Sequence, residues 1–172
     1  YHATVGNTGV LFLDTTGATF TDAPSSLRWN NTSPTSTVFS LGTSAALNTN
    51  TSTYVAYCFC DVPGYQKVGS YTGNGSADGP FVFCGFKPRW VLMKNASAAT
   101  NWTLYDSARD PENVADLKLL PNAADAESTE AVLDFTATGF KIRVANTGNN
   151  GNTNTIIFLA IADTNGRYSN AR

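Results

Sequence analysis

The chain has 172 residues, of which 42% are hydrophobic and 14% are charged, and its formal net charge is -2. This length is enough to bury the core of one domain or of two small ones. The charge excludes a nucleic-acid binder that neutralises phosphates and a polybasic membrane-surface protein, because both need clustered Lys and Arg. We therefore expect no nucleic-acid partner. We also expect no membrane insertion, because no apolar run approaches the roughly 18 residues that a spanning helix needs.

Short β-branched or aromatic runs bounded by Gly, Asn, Pro or Asp predict strands along the chain. In chain order these runs are residues 9–14, 36–42, 53–61, 81–86, 89–95, 101–106, 131–137, 139–144 and 155–163. The last run, TIIFLAIAD, is apolar on both faces, which is typical of a strand buried between layers. The one helix candidate is 123–129, which follows Pro121 and has Asn122 as a possible N-cap.

Two parts of the chain resemble each other. Aligned backwards from Asp61 and Asp163, residues 38–61 match residues 139–163. The matched pairs are Asn48 with Asn150, Asn50 with Asn152, Thr51 with Thr153, Thr53 with Thr155 and, after one inserted residue, Phe39 with Phe140. Residues from about 64 to 104 have no earlier counterpart. This repeat predicts the back half of a first β unit in 1–61, a complete second unit in 64–163 and a C-terminal tail in 164–172.

Regular strand spacing with turn residues between the strands predicts an all-β fold. We expect an antiparallel β-sandwich of the jelly-roll or lectin-like kind, with tandem related units and little helix. Because a half-sandwich exposes a sheet edge and an apolar face, residues 1–61 need cover. They either join the second unit as extra strands or are covered by upstream chain or by a neighbouring subunit. The latter alternative predicts an assembly.

The three cysteines are Cys58, Cys60 and Cys84, an odd number. In a strand, Cys58 and Cys60 point to the same face, so they are poorly placed to bond each other. We interpret all three as buried free thiols, with a bridge from Cys84 to one of the others as the alternative. Because His2 is the only histidine and no CxxC spacing occurs, we expect no metal site and no cofactor.

No group of residues in the sequence points to catalysis. His2 lies at the terminus without a GxSxG partner, which argues against a Ser-His-Asp set. Acidic residues concentrate in the loop-rich stretch 106–130, where solvated loop carboxylates are the favoured interpretation and a Ca2+ loop is the alternative. A glycosidase would need two of them facing each other across a cleft. We therefore expect a protein that is not an enzyme.

The candidate binding residues are Trp29, Trp102, Asp106, Arg109 and Asp110. A tryptophan can stack on a sugar ring, but the core of a sandwich also needs large aromatic side chains. Arg109 lies between two aspartates and can form a charge-assisted pair that fixes its own loop. The functional alternative is that Arg109 and its neighbouring carboxylates read a polar ligand.

Several long motifs run through the chain. They are GSYTGNGSADGPFVFCGFKPRWVLMKN (69–95), NWTLYDSARDPEN (101–113), the Gly-Phe-Lys strand from residue 139, and the Asn-rich turn into TIIFLAIAD. Together they resemble a family of repeated β domains in tailed-bacteriophage virion proteins. RWNNTSPTSTVFSLG (28–42) and ALNTNTSTYVAYCFCD (46–61) resemble the back half of the same kind of module. RYSNAR (167–172) is similar to the way such chains end.

The resemblance implies a virion structural protein of the tail or tail fibre, without a catalytic mechanism to carry over. It implies a location on the particle surface, in contact with the host surface. The expected partners are other copies of the chain, other virion proteins and, as a further candidate, a host-surface glycan. We expect a homo-oligomer, most naturally a trimer in a fibre. A capsid-decorating particle protein and a carbohydrate-binding β-sandwich module are the two alternatives.

Overall fold

The computed structural model describes residues 1–163, and the predicted tail at 164–172 lies outside the described residues. The elements in that range are β1 (Gly9–Val10), β2 (Phe20–Thr21), α1 (Ala45–Asn48), β3 (Gln66–Thr72), β4 (Phe81–Phe83), β5 (Pro88–Asn95), β6 (Thr103–Asp106), β7 (Ala115–Lys118), β8 (Ser128–Thr136), β9 (Gly139–Ile142), α2 (Thr147–Asn150) and β10 (Thr155–Ala162). Neither of these two short helices is long and apolar enough to cross a membrane.

Eight of the strands form two four-stranded antiparallel sheets, in the orders β3-β10-β5-β6 and β4-β9-β8-β7. Strand β10 lies inside its sheet, because it pairs with β3 on one side and with β5 on the other. The remaining strands, β1 and β2, form a separate two-residue pair. This architecture confirms the predicted antiparallel β-sandwich with little helix. The organisation into tandem units stays a prediction.

The core lies between the two sheets. Val91, Met93 and Phe158 of the first sheet belong to the same buried cluster as Leu133 and Phe140 of the second. The rings of Phe140 and Phe158 meet edge to face with their centroids 5.3 Å apart. Burying each such side chain contributes roughly 1.5–3 kcal/mol, so this layer is the main source of the sandwich's stability.

One side of the sandwich is closed by backbone pairing between the sheets. Leu104, in β6, and Leu119, directly after β7, exchange two backbone hydrogen bonds, of 2.9 and 3.1 Å. On the other side of the sandwich, β3 and β4 are the edge strands. Gln66 and Lys67 of β3 line a small cleft there together with Phe83 of β4.

Residues 1–61 contain much less strand than their sequence predicts. Of the run 9–14 only β1 is paired, and neither 36–42 nor 53–61 forms a strand. Val55 and Tyr57 are 80% and 83% exposed. The strand prediction for these two runs is wrong for the single chain, because a β-strand also needs a paired neighbour and none is supplied within residues 1–163.

The helix predicted at 123–129 is also wrong. Residues 123–127 are irregular and β8 begins at Ser128. The side chain of Asn122 does not cap a helix but accepts the backbone N–H of Trp102 at 2.8 Å. The sequence also gave no indication of the edge strands β3 and β7. Both are only partly buried and carry polar residues, so they lack a long apolar run.

The cysteines divide into two classes. Cys84 is buried and unbridged, as predicted, and burial raises the pKa of its thiol to about 12. Cys58 and Cys60 are free but exposed, so the prediction that they are buried is wrong. The reason is that they lie in the run 53–61, which is not paired into a sheet.

Candidate functional site

A polar cleft of about 270 Å³ lies beside the joined edge strands β6 and β7. Residues from four stretches of the chain line it: Thr100, Asn101, Thr103, Lys118, Leu120, Glu130, Asn146, Gly148 and Asn149. Most of these side chains can donate or accept hydrogen bonds, and a single carboxylate, that of Glu130, is among them. This lining offers hydrogen-bonding groups to a polar ligand, and it supplies one of the two opposed carboxyl groups that glycoside hydrolysis usually uses.

The charged part of the cleft is a paired network around Glu130. The Glu130 carboxylate accepts a hydrogen bond of 2.6 Å from Lys118 Nζ and another from the side-chain amide of Asn146. Burial raises the pKa of Glu130, but the hydrogen bonds from Lys118 and Asn146 outweigh that effect and bring the pKa below its usual value. Glu130 is therefore ionised at neutral pH, and the cleft presents a fixed ion pair.

The floor of the cleft is held by α2. Asn146 caps this helix by accepting the N–H of Asn149 at 2.8 Å. The buried side-chain amide of Asn149 donates to Thr103 Oγ1 at 2.7 Å, and the backbone carbonyl of Asn149 accepts from Tyr71 OH at 2.6 Å. Thr100 Oγ1, also on the lining, is buried without a hydrogen-bond partner among the described residues. The floor is thus held by hydrogen bonds between α2, β3 and β6.

The acidic loop after β6 is organised differently from its prediction. Arg109 pairs with Glu127, not with Asp106 or Asp110. Asp106 accepts the N–H of Ala108 at 2.7 Å. Asp110 accepts the N–H groups of Asp116 and Leu117, at 2.5 and 3.0 Å. The predicted pairing of Arg109 with its neighbouring aspartates is therefore wrong, because backbone N–H groups already occupy both carboxylates.

The two candidate tryptophans hold the N-terminal part of the chain. Trp29 Nε1 donates to the carbonyl of Gly9 at 3.2 Å, and Trp102 Nε1 donates to that of Phe12 at 2.8 Å. None of the five predicted binding residues lines the polar cleft, although Trp102 stands between two residues that do. A ligand role for the five stays a prediction. Sequence reasoning missed the cleft because its lining residues are dispersed and its Asn-rich part is typical of turns.

Lys94 is a buried charge that the sequence did not indicate. It is 1% exposed, and its Nζ donates to the carbonyls of Asn95 at 2.8 Å and of Thr16 and Ala98 at 3.3 Å. Burial lowers its pKa to about 8. The contact with Thr16 joins the N-terminal part of the chain to β5, so we interpret the role of Lys94 as structural.

The aligned segments 44–61 and 146–163 begin with the same local structure. Helices α1 and α2 occupy matched positions, and Thr51 and Thr153 both have left-handed backbones, with φ of 67° and 63°. Asn48 Nδ2 donates to Gly42 O at 2.8 Å, and Asn150 Nδ2 donates to Val144 O at 2.8 Å. The sequence repeat is thus accompanied by a repeat of the helix, the turn and a side-chain hydrogen bond.

The same segments differ in what surrounds them. Asn150 also donates to Asn74 Oδ1 at 2.9 Å and to Ser76 O at 2.7 Å, and it accepts the N–H of Asn74 at 2.9 Å. Within residues 1–163 the side chain of Asn48 makes only its bond to Gly42. The strand that follows α2 is β10, whereas residues 54–60 pair with no strand among residues 1–163. We call residues 54–60 the unpaired segment.

A family model for a domain of unknown function, DUF7483, matches residues 1–165. The chain belongs to this family. The match includes both the unpaired segment and β10, so one domain model spans the two aligned segments. No curated protein and no solved structure matches the chain.

Proposed function

We propose that this chain is a structural protein of a bacteriophage particle, displayed on a tail fibre or a similar appendage, where it assembles with other subunits and contacts the host surface. The observation that carries the proposal is the unpaired segment. Val55, Tyr57 and Phe59 are exposed in the single chain, and such a row of apolar side chains next to free backbone groups is an aggregation hazard. Neighbouring subunits of an assembly can cover these side chains.

Two further observations support a particle protein. The long motifs at 69–95 and 101–113 resemble repeated β domains of tailed-bacteriophage virion proteins. The formal net charge of only -2 lets many copies pack closely without strong mutual repulsion. The proposed partners are therefore other copies of this chain and other virion proteins.

Imaging of intact particles, with the subunit placed in the density, tests the location. We expect density for this chain on the tail or an appendage. Density on the head would favour the alternative of a capsid-decorating protein. Absence of the chain from purified particles would contradict both. Light scattering gives a simpler first test, because a folded monomer at micromolar concentration counts against an assembling subunit.

The polar cleft supports carbohydrate binding as a second candidate function. A ligand site usually combines a concave shape with a few polar groups at fixed positions. Here Lys118, Glu130 and Asn146 are held by hydrogen bonds at a cleft of about 270 Å³. That volume suits a single sugar unit rather than a long oligosaccharide.

Calorimetry with a panel of host-surface glycans tests this second function. Lys118→Ala and Asn146→Ala should each weaken glycan binding about tenfold or more, because each removes a hydrogen-bonding group from the lining. Asp125→Asn is the matched control, since Asp125 is exposed and is not a lining residue. Wild-type affinity in both Lys118→Ala and Asn146→Ala would contradict a binding role for the cleft.

We propose no catalytic activity for the chain. The support is that Glu130 is the one carboxylate among the cleft residues. Incubation of the purified protein with host-surface polysaccharide should leave the polymer length unchanged. Polymer shortening that is lost in Glu130→Gln would contradict this part of the proposal.

A further inference from the structure

The unpaired segment has the sequence of a strand and is preceded by the same local structure as β10, but it is not part of a sheet within residues 1–163. It matches β10, which is paired over its full length, and the same helix and left-handed threonine precede both. Its end is fixed, because the carbonyl of Cys60 accepts from Gln66 Nε2 at 2.7 Å and Asp61 accepts the N–H of Val68 at 2.9 Å. The segment therefore leaves the sandwich at a defined point beside β3.

The edges of the sandwich differ in their ability to accept this strand. The sheets join through Leu104 and Leu119, which occupies the side of β6 and β7. Edge strand β3 is contacted by the N-terminal residues, where Thr4 Oγ1 donates to Ser70 Oγ at 3.0 Å. Edge strand β4 pairs with β9 alone among the described strands. Strand β4 is thus the open edge.

Strand β4 also presents the groups that an added strand needs. Ile142 N–H donates to Pro80 O at 3.0 Å, and Cys84 N–H donates to Thr138 O at 2.9 Å. The bonded backbone groups of Pro80 and Cys84 therefore point toward β9. By the alternation of an antiparallel pair, the backbone groups of Phe81 and Phe83 point to the open side. The open edge is therefore hydrogen-bond competent as well as apolar.

The side chains of the unpaired segment suit this edge. Phe81 and Phe83 are exposed on one face of β4, and Val82 is buried on the other. In an added strand, Val55, Tyr57 and Phe59 would share one face and could form aromatic pairs across the strands with Phe81 and Phe83. The smaller Ala56 and Cys58 would then share the inner face with Val82. Neither partner carries a charged residue, so the contact leaves no charge buried without a partner.

We propose that the unpaired segment of one copy of this chain adds to β4 of a second copy, as a fifth strand of the β4-β9-β8-β7 sheet. This inference rests on the proposed function, of which it specifies the self-assembly contact. Each copy carries one donor strand and one acceptor edge, so a single kind of contact satisfies both. A contact between two different patches of identical chains forms a ring if its rotation closes. Addition of a strand to an open edge is an established mode of recognition.

Two exposed positions allow each half of the contact to be removed separately. Tyr57→Asp places a charge on the donor strand, and Phe83→Asp places one on the acceptor edge. Their side chains are 83% and 65% exposed, so the fold of the single chain should be unaffected. Leu13→Asp is the matched control, because Leu13 is an exposed apolar residue outside both surfaces. Ala56→Pro is a second donor variant that blocks strand pairing without adding a charge.

Sedimentation of the full chain should show an oligomer for the wild type and for Leu13→Asp. Association of Tyr57→Asp, Ala56→Pro and Phe83→Asp should each be weakened about tenfold or more. A mixture of Tyr57→Asp and Phe83→Asp should form a one-to-one pair and nothing larger, because one intact donor then meets one intact acceptor. Unchanged thermal unfolding of the variants, at concentrations where they are monomeric, serves as the check that each remains folded.

The cysteines provide a second readout. Cys58 and Cys60 are exposed in the single chain. In the wild type, their reaction with a thiol reagent should be fast in dilute protein and slow in concentrated, oligomeric protein. In Phe83→Asp the reaction should be fast at both concentrations. Slow reaction in dilute protein would mean that the segment pairs within its own chain, which overturns the inference.

The outcomes separate this inference from the proposed function. If the wild type assembles and all variants assemble equally well, the strand contact is wrong, while the particle role stands. If the wild type is monomeric at every concentration, both the contact and the self-assembly part of the proposed function are wrong. If donor and acceptor variants lose assembly and complement each other, the strand contact is supported.

Discussion

Residues 44–61 and 146–163 begin with the same conformation and end in different environments. Each starts with a four-residue helix, α1 or α2, and continues through a threonine with positive φ. After that point the second segment becomes β10, inside a four-stranded sheet, and the first becomes the exposed unpaired segment. Local sequence is therefore sufficient for the helix and the turn, whereas the strand depends on neighbouring strands.

The side-chain amides of Asn48 and Asn150 show the same division. Each bonds the carbonyl six residues earlier, that of Gly42 or Val144, so this contact is local. Only Asn150 reaches Asn74, in the stretch between the aligned segments that has no earlier counterpart. The first segment therefore keeps the contact with the residues directly before it and lacks contacts like those of Asn150 with Asn74 and Ser76.

The largest expected difference between the segments concerns packing. Ile157→Ala in β10 should lower the free energy of unfolding by about 3 kcal/mol, because it removes a buried aliphatic side chain. Val55→Ala, at the matched exposed position, should change it by less than about 0.5 kcal/mol. Urea unfolding of dilute protein measures both. A loss for Val55→Ala as large as that for Ile157→Ala would mean that the unpaired segment is packed within the single chain.

The asparagine pair should show a smaller difference. Asn150→Ala should cost about 2 kcal/mol, because Asn150 is buried and its loss leaves the N–H of Asn74 and the carbonyls of Ser76 and Val144 unsatisfied. Asn48→Ala removes one hydrogen bond and should cost about 0.5 kcal/mol. The two variants are compared by urea unfolding under the same conditions. Equal costs would contradict the claim that contacts with Asn74 and Ser76 hold only the second segment.

Lys94, which pairs with Ile157 of β10, gives a pH test of the buried strand. Burial lowers the pKa of Lys94 to about 8, from a usual value of 10.5. Between these two values the unfolded chain binds more protons than the folded chain, so stability should rise with pH through this window, by roughly 1 kcal/mol per pH unit. Lys94→Met should remove that rise. The free energy of unfolding is measured at several pH values for the wild type and for Lys94→Met. The same dependence on pH in both proteins would contradict the lowered pKa of Lys94.

The smallest expected effect concerns the two left-handed threonines. A β-branched residue is strained at positive φ, and glycine is not. Thr153→Gly should therefore raise the free energy of unfolding by about 0.5 kcal/mol, net of the entropy cost of glycine. Thr51→Gly should have no measurable effect on global unfolding, because the segment around it is not part of the sandwich. Thermal melts of both variants test this, and a stabilisation by Thr51→Gly alone would reverse the comparison.

The sequence predicted the fold class correctly because the buried strands contain several consecutive apolar residues. RWVLMKN became most of β5 and TIIFLAIA became β10, where both faces are largely buried. Edge strands β3 and β7 were missed, since a strand that is only partly buried can be polar. The unpaired segment shows the opposite error. Its sequence favours a strand, but no strand within residues 1–163 pairs with it.

The candidate site was harder to predict than the fold. Lys118, Glu130 and Asn146 come from separate elements and form one network only after the sheets have closed. Arg109 was placed next to the wrong carboxylates, since its partner Glu127 lies beyond β7, directly before β8. In both places proximity along the chain was a poor guide to proximity in space.

Hydrogen exchange of the full chain at two protein concentrations tests the central claim most directly. We expect the amides of residues 54–60 to exchange rapidly in dilute protein and to become protected in concentrated protein, while β10 is protected in both. Phe83→Asp should abolish the protection of 54–60 and leave that of β10 unchanged. Protection of 54–60 that does not depend on concentration, or its absence at every concentration, would contradict the claim that this segment is a strand completed by a second copy.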